Sequence, residues 1–422
     1  MEQIATKLWN KNFTMLTIGQ IISLFANGIL RFALPLHVFL ITDSAELMGR
    51  VLALSIIPMA ILSPFGGALA DRVNKKRIIV FLDLITAAIT LFYLWTIGFL
   101  SIVPITVIAL MLFSCIKTMM SAATDASVPS IVPANELVRA NSVTMTINAL
   151  SMLLGPTLGG VLMAGFGLEA ILIVSGICLA LAAVMEFFIR IPNVKQKSSG
   201  NMIVDVTKDI VDGFRFAIVK KPIIAKILLS IAGINLFVAS IAFIGLPVVI
   251  LRDLGMSERM LGISMGFSAA GGLAGGIVAG IIGQKLRIQK AYWTLVIVGI
   301  LILPLCLVFF MVEYAFIAYC LITAIMFLIG GIISVFTVQV MTFVQLTTPV
   351  ELLGKIMGLV MLASLLAQPL GNWLIGALFD RLGENSWIVL LASGILTILI
   401  ALWSRIYFKS LPTESSEEFN KV

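Results

Sequence analysis

Long apolar stretches alternate with short polar intervals along the whole chain. An α-helix needs about 20 apolar residues to cross a bilayer, and twelve stretches fit that length. Six lie in the first half: Thr14–Ile41, Leu47–Leu69, Ile78–Phe99, Val103–Thr124, Asn141–Ala164 and Leu168–Ile189. Six lie in the second half: Ile224–Ile250, Leu261–Gly283, Tyr292–Val312, Ala315–Gln339, Lys355–Leu378 and Trp387–Phe408. The pattern predicts an all-α membrane protein with twelve transmembrane helices.

The longest polar interval divides these helices into two sets of six. We expect an N-terminal bundle over residues 1–190, a cytosolic linker over 191–222, and a C-terminal bundle with a short cytosolic tail over 223–422. Apolar residues recur at helical spacing within the linker, at Ile203, Val206, Ile210, Phe214 and Ile218. This spacing predicts an amphipathic helix along the membrane surface, and a plain connector is the alternative for its function.

Composition supports the membrane class and predicts an orientation. The chain is 60% apolar and 12% charged, whereas soluble domains carry about 25% charged residues. With the N-terminus in the cytosol, the outer loops hold only four basic residues, Arg50, Arg252, Arg259 and Arg381. The positive-inside rule therefore predicts that both termini are cytosolic. The net charge of +7 lies in loops without a basic helix or interleaved aromatic residues, which argues against nucleic-acid binding.

Residues suited to cofactor or metal chemistry are scarce. The four cysteines, Cys115, Cys178, Cys306 and Cys320, lie inside apolar stretches without metal-ligand spacing, and His37 is the only histidine. No phosphate-binding G-x-x-x-x-G-K-[ST] loop occurs. We expect neither a metal, a cofactor nor an enzymatic activity.

The loop after the second span carries a specific motif, GGALADRVNKKR, over residues 66–77. It resembles the G-x-L-A-D-R-x-G-R-[KR] signature of the major facilitator superfamily. The matching positions are Gly67, Leu69, Asp71, Arg72, Lys75 and Lys76. Asn74 replaces the usual glycine, and because Asn tolerates a left-handed backbone, we expect the tight turn to persist.

The resemblance implies a charged latch that changes during transport. A carboxylate such as Asp71 can face a helix N-terminus in the opposite half. Arg72 can pair with a neighbouring carboxylate, and Asp125, at the cytosolic end of span four, is the expected partner. The same family fold implies two pseudo-symmetric six-helix bundles with a binding site near the membrane midplane.

Span five contains the sequence GPTLGG, which resembles the antiporter motif of drug–proton exchangers in this superfamily. Its glycines and proline are Gly155, Pro156, Gly159 and Gly160. Gly155 and Gly159 form a small-x-x-x-small face for close helix contact, and Pro156 weakens the helix and offers a bend. A pure packing role is the alternative. Glycines are denser still in span eight, where tight packing is expected.

Shorter matches extend the resemblance over nearly the whole chain: VPSIVPANELVRANS, IVDGFRF and LLGKIMGL. They are most similar to the drug–proton antiporter branch that includes macrolide efflux proteins and the enterobactin exporter. This implies a monomer in a bacterial cell membrane that exports a small amphipathic molecule in exchange for protons. A lipid or lysophospholipid flippase of the same fold is the alternative. A membrane-embedded enzyme or receptor is the other class, but no catalytic constellation or sensing domain is visible.

Polar residues inside the spans mark the expected substrate cavity, because ionisable groups are costly in a membrane. Arg31 lies one turn beyond Asn27 in span one, Lys117 lies inside span four, and Asn235 is in the middle of span seven. Family resemblance implies that these spans line the cavity. Two cations without an evident anion favour an anionic or neutral cargo. Backbone hydrogen bonds or snorkelling of either cation are the alternative.

The proton carrier is less evident from the sequence. His37, Asp43 and Glu46 lie toward the outer mouth, and Asp83 lies near the cytosolic end of span three. His37 titrates in a useful range but equally suits an interface position. Asp83 and Glu186 suit a gate or a loop network. The sequence therefore leaves these candidates open.

Overall fold

The computed structural model describes residues 7–72, 74–191, 211, 213–283 and 287–409, with the side chains of 64–72, 312, 350 and 351 outside the description. Eleven continuous helical segments in this part of the chain are long and apolar enough to cross a membrane. The longest, Leu137–Phe187, breaks at Gly167, where φ is 74° and ψ is 179°. Glycine adopts positive φ without steric cost, so this segment contains two spans, and the described part of the chain holds twelve helices that can cross a membrane.

The twelve helices follow the order of the predicted spans. In the first half they are α1 (Lys11–Thr42), α2 (Ala45–Arg72), α3 (Lys75–Thr96), α4 (Ile102–Ile131), α5 (137–166) and α6 (168–187). In the second half they are α7 (Pro222–Asp253), α8 (Glu258–Ile282), α9 (Ile288–Phe310), α10 (Ala315–Thr347), α11 (Val350–Leu382) and α12 (Trp387–Phe408). The predicted all-α membrane fold is confirmed. Most of the predicted linker helix lies outside the described residues.

The turn before α3 differs from its prediction. Asn74 is extended, with φ −65° and ψ 106°, and its side chain accepts a hydrogen bond from the backbone N–H of Arg77. The expected left-handed backbone at Asn74 is therefore wrong. Asn is among the best N-cap residues because its side chain satisfies an unpaired amide of the first turn. Asn74 thus begins α3 instead of closing a glycine-like turn.

The contacts divide the chain into two compact units. The first contains residues 1–43 and 54–206, and the second contains 44–53 and 207–422. In the first unit, α1 packs closely on α5 and α6, and α3 packs on α4 and on the α5–α6 segment. A Cβ atom added to Gly155 would lie 3.1 Å from the backbone of Gly28, and one at Gly159 would lie 2.7 Å from the ring of Phe32. The glycine face of α5 therefore lets it approach α1 closely.

In the second unit, glycines let α8 and α10 approach each other closely. A Cβ atom at Gly275 would lie 2.0 Å from the carbonyl oxygen of Gly331, and one at Gly271 would lie 1.9 Å from that of Phe327. The helix α7 contains three wide π-helical turns, at 235–239, 241–245 and 248–253. Such turns are rare and occur often at functional sites, and the first begins at Asn235.

Candidate functional site

A stripe of one glycine and three polar residues runs along one side of α1 at four-residue spacing. Its members are Gly19, Ser23, Asn27 and Arg31, and residues four apart on a helix are neighbours on its surface. The stripe extends over about 18 Å, at 1.5 Å per residue. The sequence predicts that Asn27 and Arg31 share one face of the helix. The structure adds Ser23 and Gly19, one and two turns earlier, to the same face.

Arg31 and Lys117 lie close to each other at one end of this stripe. The guanidinium Nη2 of Arg31 donates a hydrogen bond of 3.0 Å to Oγ of Ser114 on α4. Lys117 follows Ser114 by one helical turn, and its ammonium group is close enough to Arg31 for the two positive charges to repel each other. Neither cation forms an ion pair with a residue in the described part of the chain. The result is a patch of two cations on the surface of the first unit.

Asp83 and Glu186 form a buried pair of carboxyl groups at the other end of the stripe. Asp83 is on α3 and Glu186 is near the end of α6, with exposed fractions of 0% and 2%. Ser23 Oγ donates a hydrogen bond of 2.8 Å to Oδ1 of Asp83, and the Glu186 carboxyl group is close enough to Asp83 for the two groups to interact electrostatically. The chain of contacts continues along α1, because Asn27 Nδ2 lies 3.4 Å from Ser23 Oγ.

Asn235 borders a cavity inside the second unit. The cavity has a volume of about 260 Å³ and lies among α7, α10 and α11, with Phe336, Thr337 and Ser364 among its lining residues. The Asn235 amide donates to the carbonyl oxygen of Ile231 at 2.9 Å. The amide nitrogen is thus engaged within α7, and the side chain borders the cavity.

The latch residues are partly described. The side chains of Gly67, Asp71 and Arg72 lie outside the description, so their pairing stays a prediction. Lys75 Nζ donates to the carbonyl oxygen of Ala126 near the end of α4 at 2.8 Å. Asp125 lies 3.4 Å from Ser121 Oγ. Lys76 Nζ lies 5.0 Å from the ring centre of Phe187, a cation–π distance.

The remaining proton candidates, His37, Asp43 and Glu46, lie near the connection between α1 and α2, away from the carboxyl pair. Asp43 ends α1 in a left-handed conformation, with φ 48°. Glu46 forms an ion pair with Arg50 one turn later in α2. His37 is half-buried on α1. Glu46 is thus part of an ion pair on the surface of α2. None of these contacts connects Asp43, Glu46 or His37 with Asp83.

A second acidic group, Asp380, was missed by sequence reasoning. Its carboxylate accepts hydrogen bonds from Ser44 Oγ at 2.7 Å, from the backbone N–H groups of Ala45 and Glu46 at 3.0 and 2.8 Å, and from Arg252 Nη1 at 3.1 Å. Asp380 therefore binds the N-terminus of α2, where the helix dipole favours a negative charge. An acidic residue inside the apolar stretch ALFDRL is the signal that could have identified it.

The comparisons with known proteins agree with this architecture. The family profile described as Major Facilitator Superfamily matches residues 16–372, and the chain belongs to this superfamily of transporters. It is similar to "Macrolide efflux protein A" of Streptococcus pyogenes, with 25% identity over 397 residues, covering 93% of this chain and 95% of the relative. It is also similar to the "Uncharacterized MFS-type transporter YfiS" of Bacillus subtilis (strain 168), with 26% identity over 349 residues, covering 82% and 81%.

A solved structure shares the same fold. The crystal structure of the nucleoside transporter NupG superposes with a TM-score of 0.75 at 12% identity, covering 95% of this chain and 99% of that one. The chain is thus a multi-pass membrane transporter with the major facilitator fold. The expectation of a transporter, and not an enzyme, is confirmed.

Proposed function

We propose that this transporter exports a small amphipathic molecule, such as a macrolide or a siderophore-like compound, in exchange for protons. The observation that carries the proposal is the pair of cations, Arg31 and Lys117, beside Asn27 on one surface of the first unit. Ionisable groups within membrane helices are costly and mark substrate or ion pathways. The relatives named for macrolide efflux support export as the direction.

The same surface supports a preference for anionic or neutral cargo. Two cations that lack an anionic partner among the described residues attract a negative group and repel a positive one. Asn27 and, in the second unit, Asn235 add neutral hydrogen-bonding groups. We propose Arg31, Lys117, Asn27 and Asn235 as the residues that contact the cargo.

The proposed setting is a bacterial cell membrane with both termini in the cytosol and with the monomer as the working unit. The basic loops support this orientation. The latch of Asp71 and Arg72 is proposed to bias the balance between the conformations that open to either side. Asp71→Asn is then expected to lower efflux without preventing insertion into the membrane.

Inside-out membrane vesicles with an imposed proton gradient provide the test. Uptake of a radiolabelled macrolide, a catecholate siderophore and a fluorescent lysophospholipid is measured for the wild type, Arg31→Gln and Lys117→Gln. We expect uptake of the anionic siderophore to fall in both variants and uptake of the macrolide, which carries a basic amine, to persist. Unchanged uptake of both classes in both variants contradicts the cargo assignment. Transport of the lysophospholipid alone favours a flippase.

A further inference from the structure

Asp83 and Glu186 are two carboxyl groups buried among the membrane helices, and the cargo surface proposed above does not use them. Asp83 Oδ2 and Glu186 Oε2 meet no hydrogen-bond donor among the described residues. The two groups nevertheless lie close to each other, because Glu186 packs against Gly19 of α1, Asp83 accepts a hydrogen bond from Ser23 one turn later on the same helix, and each interacts electrostatically with the other. Two ionised carboxylates in such a position repel each other, and a shared proton removes the repulsion. The geometry therefore suits a pair that holds one proton.

Among the described residues, no cation forms an ion pair with Asp83 or Glu186. The helices packed around it carry several charged residues, which are Lys11, Arg31, Lys75, Lys76, Arg77, Lys117, Asp125, Arg139 and Glu169. In the described part of the chain, none of the basic ones lies within ion-pair distance of Asp83 or Glu186. Lys76 comes near through its contact with Phe187, the residue after Glu186. A proton is thus the positive charge that this site can accept.

We propose that Asp83 and Glu186 together form the proton-binding site, and that Ser23 and Asn27 connect this site to the cation patch. This inference deepens the proposed proton antiport and rests on it. With one proton bound, the O–H of one carboxyl donates to an oxygen of the other. When the proton leaves, two negative charges lie side by side among α1, α3 and α6, and their repulsion disfavours the close packing of these helices.

The carboxyl pair packs directly against the backbone of α1. A Cβ atom at Gly19 would lie 2.8 Å from both Cγ and Oε1 of Glu186, so the Glu186 side chain lies directly on the helix backbone. Ser23, one turn later, donates to Asp83. A displacement of the carboxyl pair is therefore transmitted to α1, which also carries Asn27 and Arg31. This is a physical route by which proton binding affects the cargo surface.

The experiment uses Asp83→Asn and Glu186→Gln, which keep the side-chain shape, and Glu169→Gln as the matched control. Glu169 is an exposed glutamate on the same helix as Glu186. Infrared spectra of the purified full chain at neutral pH report protonated carboxyl groups directly. We expect a band of a buried carboxylic acid that is shifted or lost in each amide variant and unchanged in Glu169→Gln. A wild-type spectrum without this band, or a band unchanged in both variants, overturns the proposal.

Transport in proteoliposomes separates this site from the proposed function. With a radiolabelled macrolide, we expect accumulation driven by a pH gradient to fall by roughly 5- to 150-fold in both amide variants, the range of typical coupling between sites, and to stay at the wild-type level in Glu169→Gln. Gradient-driven accumulation at the wild-type level in both variants overturns the site but leaves antiport standing. If the pH gradient does not change macrolide accumulation by the wild type, antiport is contradicted. The infrared band then tests the proton-binding site on its own.

Discussion

Gly19 provides the space that Glu186 occupies, and this makes it a sensitive position. In Gly19→Ala, the new methyl group would lie 2.8 Å from Glu186 Cγ and Oε1, so the buried side chain must move. Overpacking of a buried site costs about 1–3 kcal/mol. We expect a lower free energy of unfolding, measured by thermal unfolding of the detergent-purified protein.

Gly165→Ala is the matched control for this change. Gly165 is a helical glycine in α5 with no atom within 4 Å of an added Cβ, and alanine is favoured over glycine in a helix by about 0.5–1 kcal/mol. We expect Gly165→Ala to be neutral or stabilising. Equal stability of the Gly19→Ala variant and the wild type contradicts the packing of Glu186 on Gly19.

Single residues show what the sequence can and cannot predict. The shared face of Asn27 and Arg31 follows from helical spacing alone, and the structure has it. The contact of Asp83 with Glu186 joins residues about one hundred positions apart, which no local pattern reveals. Asn74 shows a different difficulty. Asn suits both a left-handed turn and a helix N-cap, and only the start of α3 decides between them.

Among the helices, α8 and α10 depend on glycine for their contact. In Gly275→Ala, the added Cβ would lie 2.0 Å from the carbonyl oxygen of Gly331, and a backbone atom cannot rotate away. The helices must separate, at a cost of at least about 1–3 kcal/mol. We expect a lower midpoint of thermal unfolding in detergent.

Gly280→Ala is the control, because Gly280 lies on the same helix with no atom within 4 Å of an added Cβ. It should unfold at or above the wild-type temperature. If both variants lose the same amount of stability, the effect comes from the backbone flexibility of the glycines and not from the contact between α8 and α10.

The start of α2 depends on Asp380. This half-buried carboxylate accepts four hydrogen bonds, two of them from first-turn amides of α2, and bonds to a charged group are worth about 1.5–3 kcal/mol each. In Asp380→Asn, one oxygen becomes a donor and the negative charge is lost. We expect faster hydrogen exchange of the Ala45 and Glu46 amides, measured by mass spectrometry.

The exposed Glu384, close to Asp380 along the chain, gives the control for that experiment. Glu384→Gln removes the same charge at a site without these bonds, so the exchange of the α2 amides should not change. If Asp380→Asn also leaves their exchange unchanged, the carboxylate does not stabilise the helix start.

On the scale of the whole molecule, the length of the apolar stretches predicts most of the fold. Twelve spans follow from bilayer thickness, and the structure has them, with boundaries shifted by a few residues. The break at Gly167 also falls in the predicted interval between spans five and six. The π-helical turns of α7 were not predicted, because apolar periodicity does not distinguish a wide helical turn from a regular one.

The distribution of basic residues among the loops predicts the orientation of the whole molecule in the membrane, and this is the last prediction. If each of the twelve spans crosses the membrane once, the loops after α2, α4 and α8 lie on the same side as both termini. That side carries most of the basic residues, and moving them across a membrane during insertion is unfavourable. We expect green fluorescent protein fused after Val422 to fluoresce, and alkaline phosphatase fused after Asp43 to be active in bacterial cells. The exchanged fusions, phosphatase after Val422 and fluorescent protein after Asp43, should both be inactive. Active phosphatase after Val422 would place the C-terminus outside and would reverse the direction assigned to transport.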